Sequence, residues 1–410
     1  MKTGATMLEA YRFKKKGNKH MSSLNQTPSG ERIHIGIFGR RNVGKSALIN
    51  ALTGQSLAIV SIVAGTTTDP VSKAMELLPL GPVMITDTAG LDDEGELGQM
   101  RIEKTLRVLT KTDIALIVVD ASRGVSEYEE RLFAYVKDKK IPYITVYNKC
   151  DIGKPDSPLP DGICVSAVTG EGIERLKNRL AEFVGKDAEK PLASDLVKYG
   201  DTVILVTPID ASAPKGRIIL PQQQVIRDLL DAGAMPFVCR DTELSLALRR
   251  VTPALVITDS QVFGAVSKSV PENIPLTSFS MLMARYKGNF AEAVRGAEAI
   301  GSIKTGDRIL ISEGCTHHRQ CEDIGTVKLP KLIRKFTGAE PEFVFTSGTE
   351  FPDDLSDCKM VIHCGGCTLN AKELKHRYGL ALDAKLPITN YGVAIAYMTG
   401  ILDRAVRPLI

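Results

Sequence analysis

Gly39-Arg40-Arg41-Asn42-Val43-Gly44-Lys45-Ser46 follows the apolar run Ile33 to Phe38 and leads into Ala47 to Leu52, which reads as a helix. A strand, a glycine-bearing loop and a helix N-terminus in that order make a phosphate cradle. Backbone N–H groups curl around an anion, Lys45 reaches the terminal phosphates, and the Ser46 hydroxyl can bind Mg²⁺. Gly39, Asn42, Val43, Gly44 and Ala47 complete the expected nucleotide contacts. A second group of residues could hold a metal: Cys315-Thr316-His317 and, further on, His363-Cys364-Gly365-Gly366-Cys367. Thiolates and imidazoles at such spacing are ligands for zinc or iron.

Four further signals follow the cradle within about 130 residues, the context that a P-loop motif requires. Asp87-Thr88-Ala89-Gly90 ends the apolar run Val83 to Thr86. Its aspartate therefore lies at a strand tip, within reach of the Mg²⁺ shell and the γ-phosphate. Gly65-Thr66-Thr67-Thr68-Asp69 offers Thr67 to the same Mg²⁺. Asn148-Lys149-Cys150-Asp151 ends the apolar strand Ile141 to Tyr147. An aspartate there accepts both N–H donors on the Watson–Crick edge of guanine, a pair that adenine lacks. Ser166-Ala167, after Ile163-Cys164-Val165, closes over the base. The expected ligand is GTP.

This segment resembles the TrmE/Era branch of the translation-factor-like GTPases over residues 32–185. Leu91 stands after the Asp-Thr-Ala-Gly motif where Ras-like proteins carry a water-orienting glutamine. The resemblance implies that K⁺, held at Asn42, helps instead. It implies slow, K⁺-stimulated hydrolysis with Lys45, Thr67, Asp87 and Gly90 as the catalytic group.

The elements that position these residues must belong to more than one domain, because 410 residues exceed a single core. The 43% hydrophobic content is ordinary, and no apolar run approaches the roughly 20 residues of a membrane span. The expected location is the cytoplasm. The net charge of +4 is concentrated at the start: residues 1–20 carry six bases and one acid, which leaves −1 for the remainder. A near-neutral body speaks against a broad nucleic-acid face. Residues 1–31 read as a disordered extension, in which Met21 marks either a true start or the edge of an added leader. Eight cysteines in a reducing compartment are not expected as disulfides. Cys150, Cys164 and Cys239 fall on or beside apolar strands and read as core.

After a helix from Gly172 to Val184, residues 186–196 read as a polar linker ending the GTPase domain. Residues 197–300 alternate strands (Thr202 to Val206, Met235 to Cys239, Ala254 to Thr258) with helices (Gln222 to Ala232, Glu243 to Arg250). This is a small α/β unit that reads as a self-association module, with Lys215-Gly216-Arg217 as an alternative ligand contact. In residues 301–410, the strand Arg308 to Ser312 runs into Cys315 and the strand Met360 to His363 runs into Cys364. Ligands of open α/β sheets sit beyond the carboxyl ends of strands, so the two loops can converge across the sequence gap. Cys315, Cys364 and Cys367 with His317 or His363 would make a Cys₃His zinc site; three thiolates alone suit a [4Fe–4S] cluster with one open iron. Cys321 and Cys358 are reserves, Asn370 caps the next helix, and His376 on that helix is expected at the surface.

Cys-Thr-His, a gap of 45 residues after His317, then His-Cys-Gly-Gly-Cys, joined to a TrmE-like GTPase, is similar to the HydF family of [FeFe]-hydrogenase maturation over residues 21–410. The resemblance implies three α/β domains: GTPase, dimerisation and iron–sulfur. It implies a scaffold that holds a transient diiron subcluster beside a [4Fe–4S] cluster on Cys315, Cys364 and Cys367. His317 and His363 map onto family histidines whose ligation is open. Partners would be a second copy or higher oligomer, the radical-SAM hydrogenase maturases and apo-[FeFe]-hydrogenase, with no nucleic acid and no membrane. The competing expectations are an RNA-modification or ribosome-assembly GTPase with a structural zinc, and a redox enzyme, which lacks a flavin or nicotinamide fingerprint.

Overall fold

The computed structural model describes residues 27–54, 71–88, 105–155, 159, 161–184, 190–209, 218–314, 323–348 and 350–410. Among them, three β-sheets follow one another along the chain, of six, four and four strands.

The first sheet contains β1 (Ile33–Phe38), β2 (Val71–Leu77), β3 (Gly81–Asp87), β4 (Ile114–Asp120), β5 (Tyr143–Asn148) and β6 (Ile163–Cys164), in the order β2-β3-β1-β4-β5-β6. Edge strand β2 runs antiparallel to β3, and the other pairings are parallel. Every residue of the central strand β4, Ile-Ala-Leu-Ile-Val-Val-Asp, is buried, as a parallel strand covered on both faces requires. Helices α1 (Lys45–Thr53), α2 (Glu127–Asp138) and α3 (Ile173–Val184) belong to this domain, with a helical stretch at 105–109 preceding β4.

The second sheet holds β7 (Thr202–Val206), β8 (Met235–Cys239), β9 (Leu255–Thr258) and β10 (Leu276–Ser278), alternating with α4 (Leu220–Asp231), α5 (Leu244–Arg250), α6 (Phe263–Ser269) and α7 (Phe279–Lys287). After α8 (Phe290–Ala297), the third holds β11 (Arg308–Ser312), α9 (Leu329–Thr337), β12 (Glu342–Thr346), β13 (Met360–His363), α10 (Ala371–Asp383), β14 (Ile388–Asn390), α11 (Tyr391–Met398) and α12 (Leu402–Val406). Both sheets are wholly parallel. Their orders are β10-β9-β7-β8 and β12-β11-β13-β14. Counted within each domain, both are the doubly wound order 2-1-3-4.

The sheets differ in how their cores connect. The first has its own apolar cluster, built on Ile35, Ile37, Leu48, Val118 and Leu176. The second and third share one: Val203, Leu205 and Ile257 belong to the same buried cluster as Leu310, Val361, Leu374 and Val393. The expected boundary at residue 300 moves accordingly. Helix α8 belongs with the third sheet, since Gly296 lies so close to β14 that a Cβ there would sit 2.0 Å from the Ile388 carbonyl oxygen. Only Gly288-Asn289 separates α7 from α8, a pair that reads as a turn rather than a domain boundary, and the partner strand of α8 lies some 90 residues downstream.

The GTPase domain meets the third domain through polar contacts. Asn370 Nδ2 donates to the Lys111 carbonyl at 2.7 Å, and Lys372 Nζ donates to the carbonyls of Thr112 and Asp113, each at 3.0 Å. Upstream of β1, Gly30 abuts the loop after Cys367; a Cβ at Gly30 would lie 2.6 Å from the Leu369 oxygen. The buried Lys287 at the end of α7 donates to the Gly30 carbonyl at 3.2 Å. A cleft of about 480 Å³ remains between the domains, lined among others by Thr86, Lys111, Asn370, Glu373 and His376. His376, expected at the surface, is half-buried in this cleft because the GTPase domain covers its face of α10.

Candidate functional site

The nucleotide cradle forms where β1 ends. Gly39 (φ +149°) and Gly44 (φ +90°) hold backbone angles that L side chains rarely adopt. Each also permits a close approach: a Cβ at Gly39 would lie 2.3 Å from the Val118 oxygen, and one at Gly44 would lie 2.3 Å from Asn148 Nδ2. Asn42, at φ +62°, is exposed at the loop's crest; asparagine tolerates this region better than most residues. Val43 is buried beneath the loop, and Ala47 is exposed on the first turn of α1.

Lys45 is folded back on the loop, its ammonium donating to the carbonyls of Gly39 (2.7 Å) and Arg40 (2.9 Å). Ser46 Oγ donates to Asp87 Oδ2 at 3.0 Å, so the two expected Mg²⁺-shell residues, from α1 and β3, are already in contact. Asp87 Oδ1 is buried without a hydrogen-bond partner. Burial raises the Asp87 pKa, against the opposing effects of the Lys45 charge and the Ser46 hydroxyl. An unpartnered carboxylate oxygen beside a serine hydroxyl is a donor set that a divalent cation satisfies, and the residues fit Mg²⁺. Thr88 ties this tip to β1, its hydroxyl donating to the Ile37 carbonyl at 2.7 Å.

Asn148, at the end of β5, braces two loops with its side chain: Nδ2 donates to the Val43 carbonyl at 2.8 Å, and Oδ1 accepts from the Ala167 N–H at 3.1 Å. It thus links the cradle to the Ser166-Ala167 loop. Lys149, at φ +67°, reaches Asp120 at the end of β4, Nζ to Oδ2 2.7 Å. Burial opposes ionisation of Asp120, but the Lys149 and Ser122 hydrogen bonds outweigh it and hold the carboxyl below its ordinary range. Ser166 is buried and its hydroxyl accepts the Thr169 N–H, which shapes the loop. Asp151 is exposed. Thr67 and Gly90 lie outside the described residues, as does Leu91.

The second site forms at the carboxyl ends of β11 and β13, neighbours at which the strand order reverses. Register pairs Ser312 with His363, so both chains leave the sheet side by side. The Gly314 N–H donates to Cys364 Sγ at 3.0 Å and the Gly366 N–H to the same sulfur at 3.4 Å. The residue before Cys315 therefore touches the Cys364 sulfur across 50 positions of sequence. Cys367 follows after a glycine at φ +64°. Burial raises the Cys364 thiol, and burial together with the neighbouring Cys364 pushes Cys367 up to about 12. A metal must displace those protons to bind the sulfurs. A sulfur already accepting two backbone N–H bonds suits a thiolate ligand, and the pair fits an iron–sulfur or zinc centre. Among the described residues no three His, Cys, Asp or Glu side chains converge as a metal group, and Cys315 and His317 lie outside them, as do Cys321 and residues 210–217.

His363 has neither ring nitrogen free. Nδ1 meets the Cys364 carbonyl at 2.8 Å and Nε2 meets Arg377 Nη1 at 3.1 Å, an arrangement that requires the Nδ1–H tautomer. Burial, reinforced by the Arg377 charge, lowers its pKa to about 3. It is a brace beneath the loop rather than a ligand in this conformation. Cys358 precedes β13, roughly 20 Å of extended chain from Cys364, which removes it from the site. Cys164, expected in the core, is exposed because β6 is a two-residue edge strand; Cys150 and Cys239 are half-buried. Arg377, wholly buried beside the site, carried no sequence signal: its charge type points to solvent, and only its i,i+4 spacing to Glu373 hints at a pair.

Fold and site together define a P-loop GTPase domain joined to two doubly wound α/β domains. A profile described as the hydrogen maturase F dimerization domain matches residues 192–288, and one described as the hydrogen maturase F tetramerization domain matches residues 291–408, together more than half of the chain. The chain belongs to the hydrogen maturase F family. A profile of the 50S ribosome-binding GTPases matches residues 34–149, and one of the elongation factor Tu GTP binding domain matches 101–231. The tRNA modification GTPase MnmE of Thiobacillus denitrificans is 36% identical over 160 residues, covering 38% of this chain and 35% of that protein. GTPase Der of Wolinella succinogenes is 34% identical over 182 residues, covering 40% and 37%. The chain thus spans little more than a third of the curated relatives it matches. Among solved structures, Aquifex aeolicus Era bound to GDP.AlF4- aligns over 50% of this chain and 92% of that one, at 21% identity and a TM-score of 0.33.

Proposed function

We propose that this GTPase serves [FeFe]-hydrogenase maturation as a scaffold, holding a diiron precursor beside a [4Fe–4S] cluster and delivering it to apo-hydrogenase. The observation that supports the proposal is the Gly314 N–H bond to Cys364 Sγ, in which the residue before Cys315 touches the Cys364-Cys367 loop. Cys315, Cys364 and Cys367 would hold the cluster, whose chemistry when bound is to offer an open iron to the precursor. This chain's own residues supply the thiolates, the backbone donors of Gly314 and Gly366, and the His363 brace. His317 is a further candidate ligand.

In the GTPase domain, Gly39 to Ala47 wrap the phosphates, Ser46, Thr67 and Asp87 complete the Mg²⁺ shell, and Gly90 contacts the γ-phosphate. Asn148, Lys149, Asp151, Ser166 and Ala167 hold guanine. K⁺ at Asn42 supports slow hydrolysis, and GTP governs partner exchange. The partners are further copies of this chain, radical-SAM maturases and apo-hydrogenase, in the cytoplasm; among the described residues no helix is long and apolar enough to cross a membrane. Iron, acid-labile sulfide and zinc measured on anaerobically prepared protein, with EPR after reduction, test the proposal. About four irons and four sulfides per chain are expected; one zinc without sulfide would return the choice to an RNA-linked GTPase.

A further inference from the structure

Arg377 on α10 has no solvent exposure and reaches three strand ends at once. Nη1 lies 3.1 Å from His363 Nε2 at the end of β13 and 3.4 Å from Ser312 Oγ at the end of β11, and Nη2 donates to the Gly348 carbonyl beyond β12 at 2.7 Å. Phe351 covers the guanidinium face at 5.2 Å. The charge is met by Glu373 Oε1, which accepts from Nε at 3.1 Å and from Nη2 at 2.8 Å. The other Glu373 oxygen is buried with no hydrogen bond, but the Lys111 ammonium stands 3.6 Å away. Lys111 belongs to the GTPase domain.

We infer that Arg377 is the positioning residue of the Cys364-Cys367 loop and that the GTPase domain contributes to that site through Lys111. The chain of contacts is continuous: Lys111, Glu373, Arg377, His363 and the Cys364 carbonyl. A planar guanidinium can hold two strand tips in register through fixed donors, which an ammonium cannot. Lys111 stands against the carboxylate oxygen that Arg377 leaves without a hydrogen bond, so that oxygen meets a cation only when the domains are docked. The inference rests on the metal-scaffold proposal for its purpose, but its geometry does not require a bound cluster.

The test uses the full-length protein in two states. On apo-protein, alkylation of Cys364 by iodoacetamide is timed by mass spectrometry, with Cys150 as an internal control. On iron-loaded protein, release of iron to a chelator and the EPR spectrum of the reduced protein are recorded. Arg377→Met should hasten Cys364 alkylation and weaken iron retention by about 10- to 100-fold, as removal of outer-shell partners of metal ligands does. Lys111→Met should give a smaller change of the same sign, about three- to tenfold, with unaltered kcat and KM for GTP. Lys111→Arg should restore both. If Arg377→Met fails to fold, the neutral double variant Glu373→Gln with Arg377→Met is read instead. Wild-type Cys364 reactivity in the Arg377 variant, no effect of Lys111→Met, or equal acceleration at Cys150 would each overturn the inference. A wild-type protein that holds no iron would defeat the scaffold proposal, while the alkylation rates would still judge this one.

Discussion

The second and third sheets share one strand order and one apolar core, yet their switch points are equipped differently. At the ends of β7 and β9 stand Val206-Thr207-Pro208 and Thr258-Asp259-Ser260, where Asp259 caps the turn by accepting the Gln261 N–H and Ser260 Oγ is buried without a hydrogen-bond partner. Beyond β11 and β13 stand Ser312-Glu313-Gly314 and Cys364-Gly365-Gly366-Cys367, whose backbone N–H groups aim at a sulfur. The doubly wound topology supplies a crevice in both cases; the chemistry comes from side chains and glycines placed there. The first sheet extends the comparison, since its cradle, with Gly39 and Gly44 at positive φ, also stands at the end of a strand, β1.

Substitutions can break or sharpen this contrast. The largest expected effect is at Cys364: Cys364→Ser should abolish iron binding while GTP turnover stays within about twofold, because the first sheet has its own core. Parallel loss of GTP hydrolysis would mean that the sites are not separable. Lys45→Ala should lower kcat for GTP by about 10²- to 10³-fold with iron content intact, measured by phosphate release. Asp151→Asn should weaken GTP relative to xanthosine triphosphate by about 1–3 kcal/mol, read from competitive binding, since two guanine donors lose a charged acceptor. At the second sheet's switch point, Asp259→Ala should cost about 1 kcal/mol in a thermal or denaturant unfolding curve through the lost cap, with iron and GTPase activity untouched. A change in either activity would show that this crevice is also in use. The smallest expected effect is at Asn42, where Asn42→Ala should remove a severalfold K⁺ stimulation of turnover without altering the rate in Na⁺.

The parts of the molecule that were legible in the sequence are those set by local chemistry. The cradle, the strands Ile33–Phe38, Thr202–Val206, Arg308–Ser312 and Met360–His363, and the Asn370 cap read directly from apolar runs, glycines and capping types. Strands β2 and β4 are not singled out from the sequence, and neither are the short strands β10, β12 and β14, which have three to five residues each and contain Thr, Ser, Asn or Glu, so that their pairing is set by neighbours remote in sequence. The nearness of Gly314 to the Cys364-Cys367 loop followed from strand ends alone. The state of His363 did not, because it depends on Arg377, a residue 14 positions away that burial alone would exclude. The same holds for the joining of the second and third cores, which no linker composition reveals.

The docking of the GTPase domain has a consequence for how such a molecule could change over generations. Asn370 and Lys372 grip the main-chain oxygens of residues 111–113, and the Gly30 carbonyl is gripped by Lys287. A carbonyl is the same atom whatever side chain accompanies it. Apart from Lys111, whose ammonium also meets Glu373, the receiving turn can therefore drift in sequence without loosening the joint, provided its backbone path is kept. A seam of this kind lets one domain diversify or be exchanged for a cousin while the other stays fixed, and it places the inheritance of the contact in Lys287, Asn370 and Lys372 together with the Lys111–Glu373 pair.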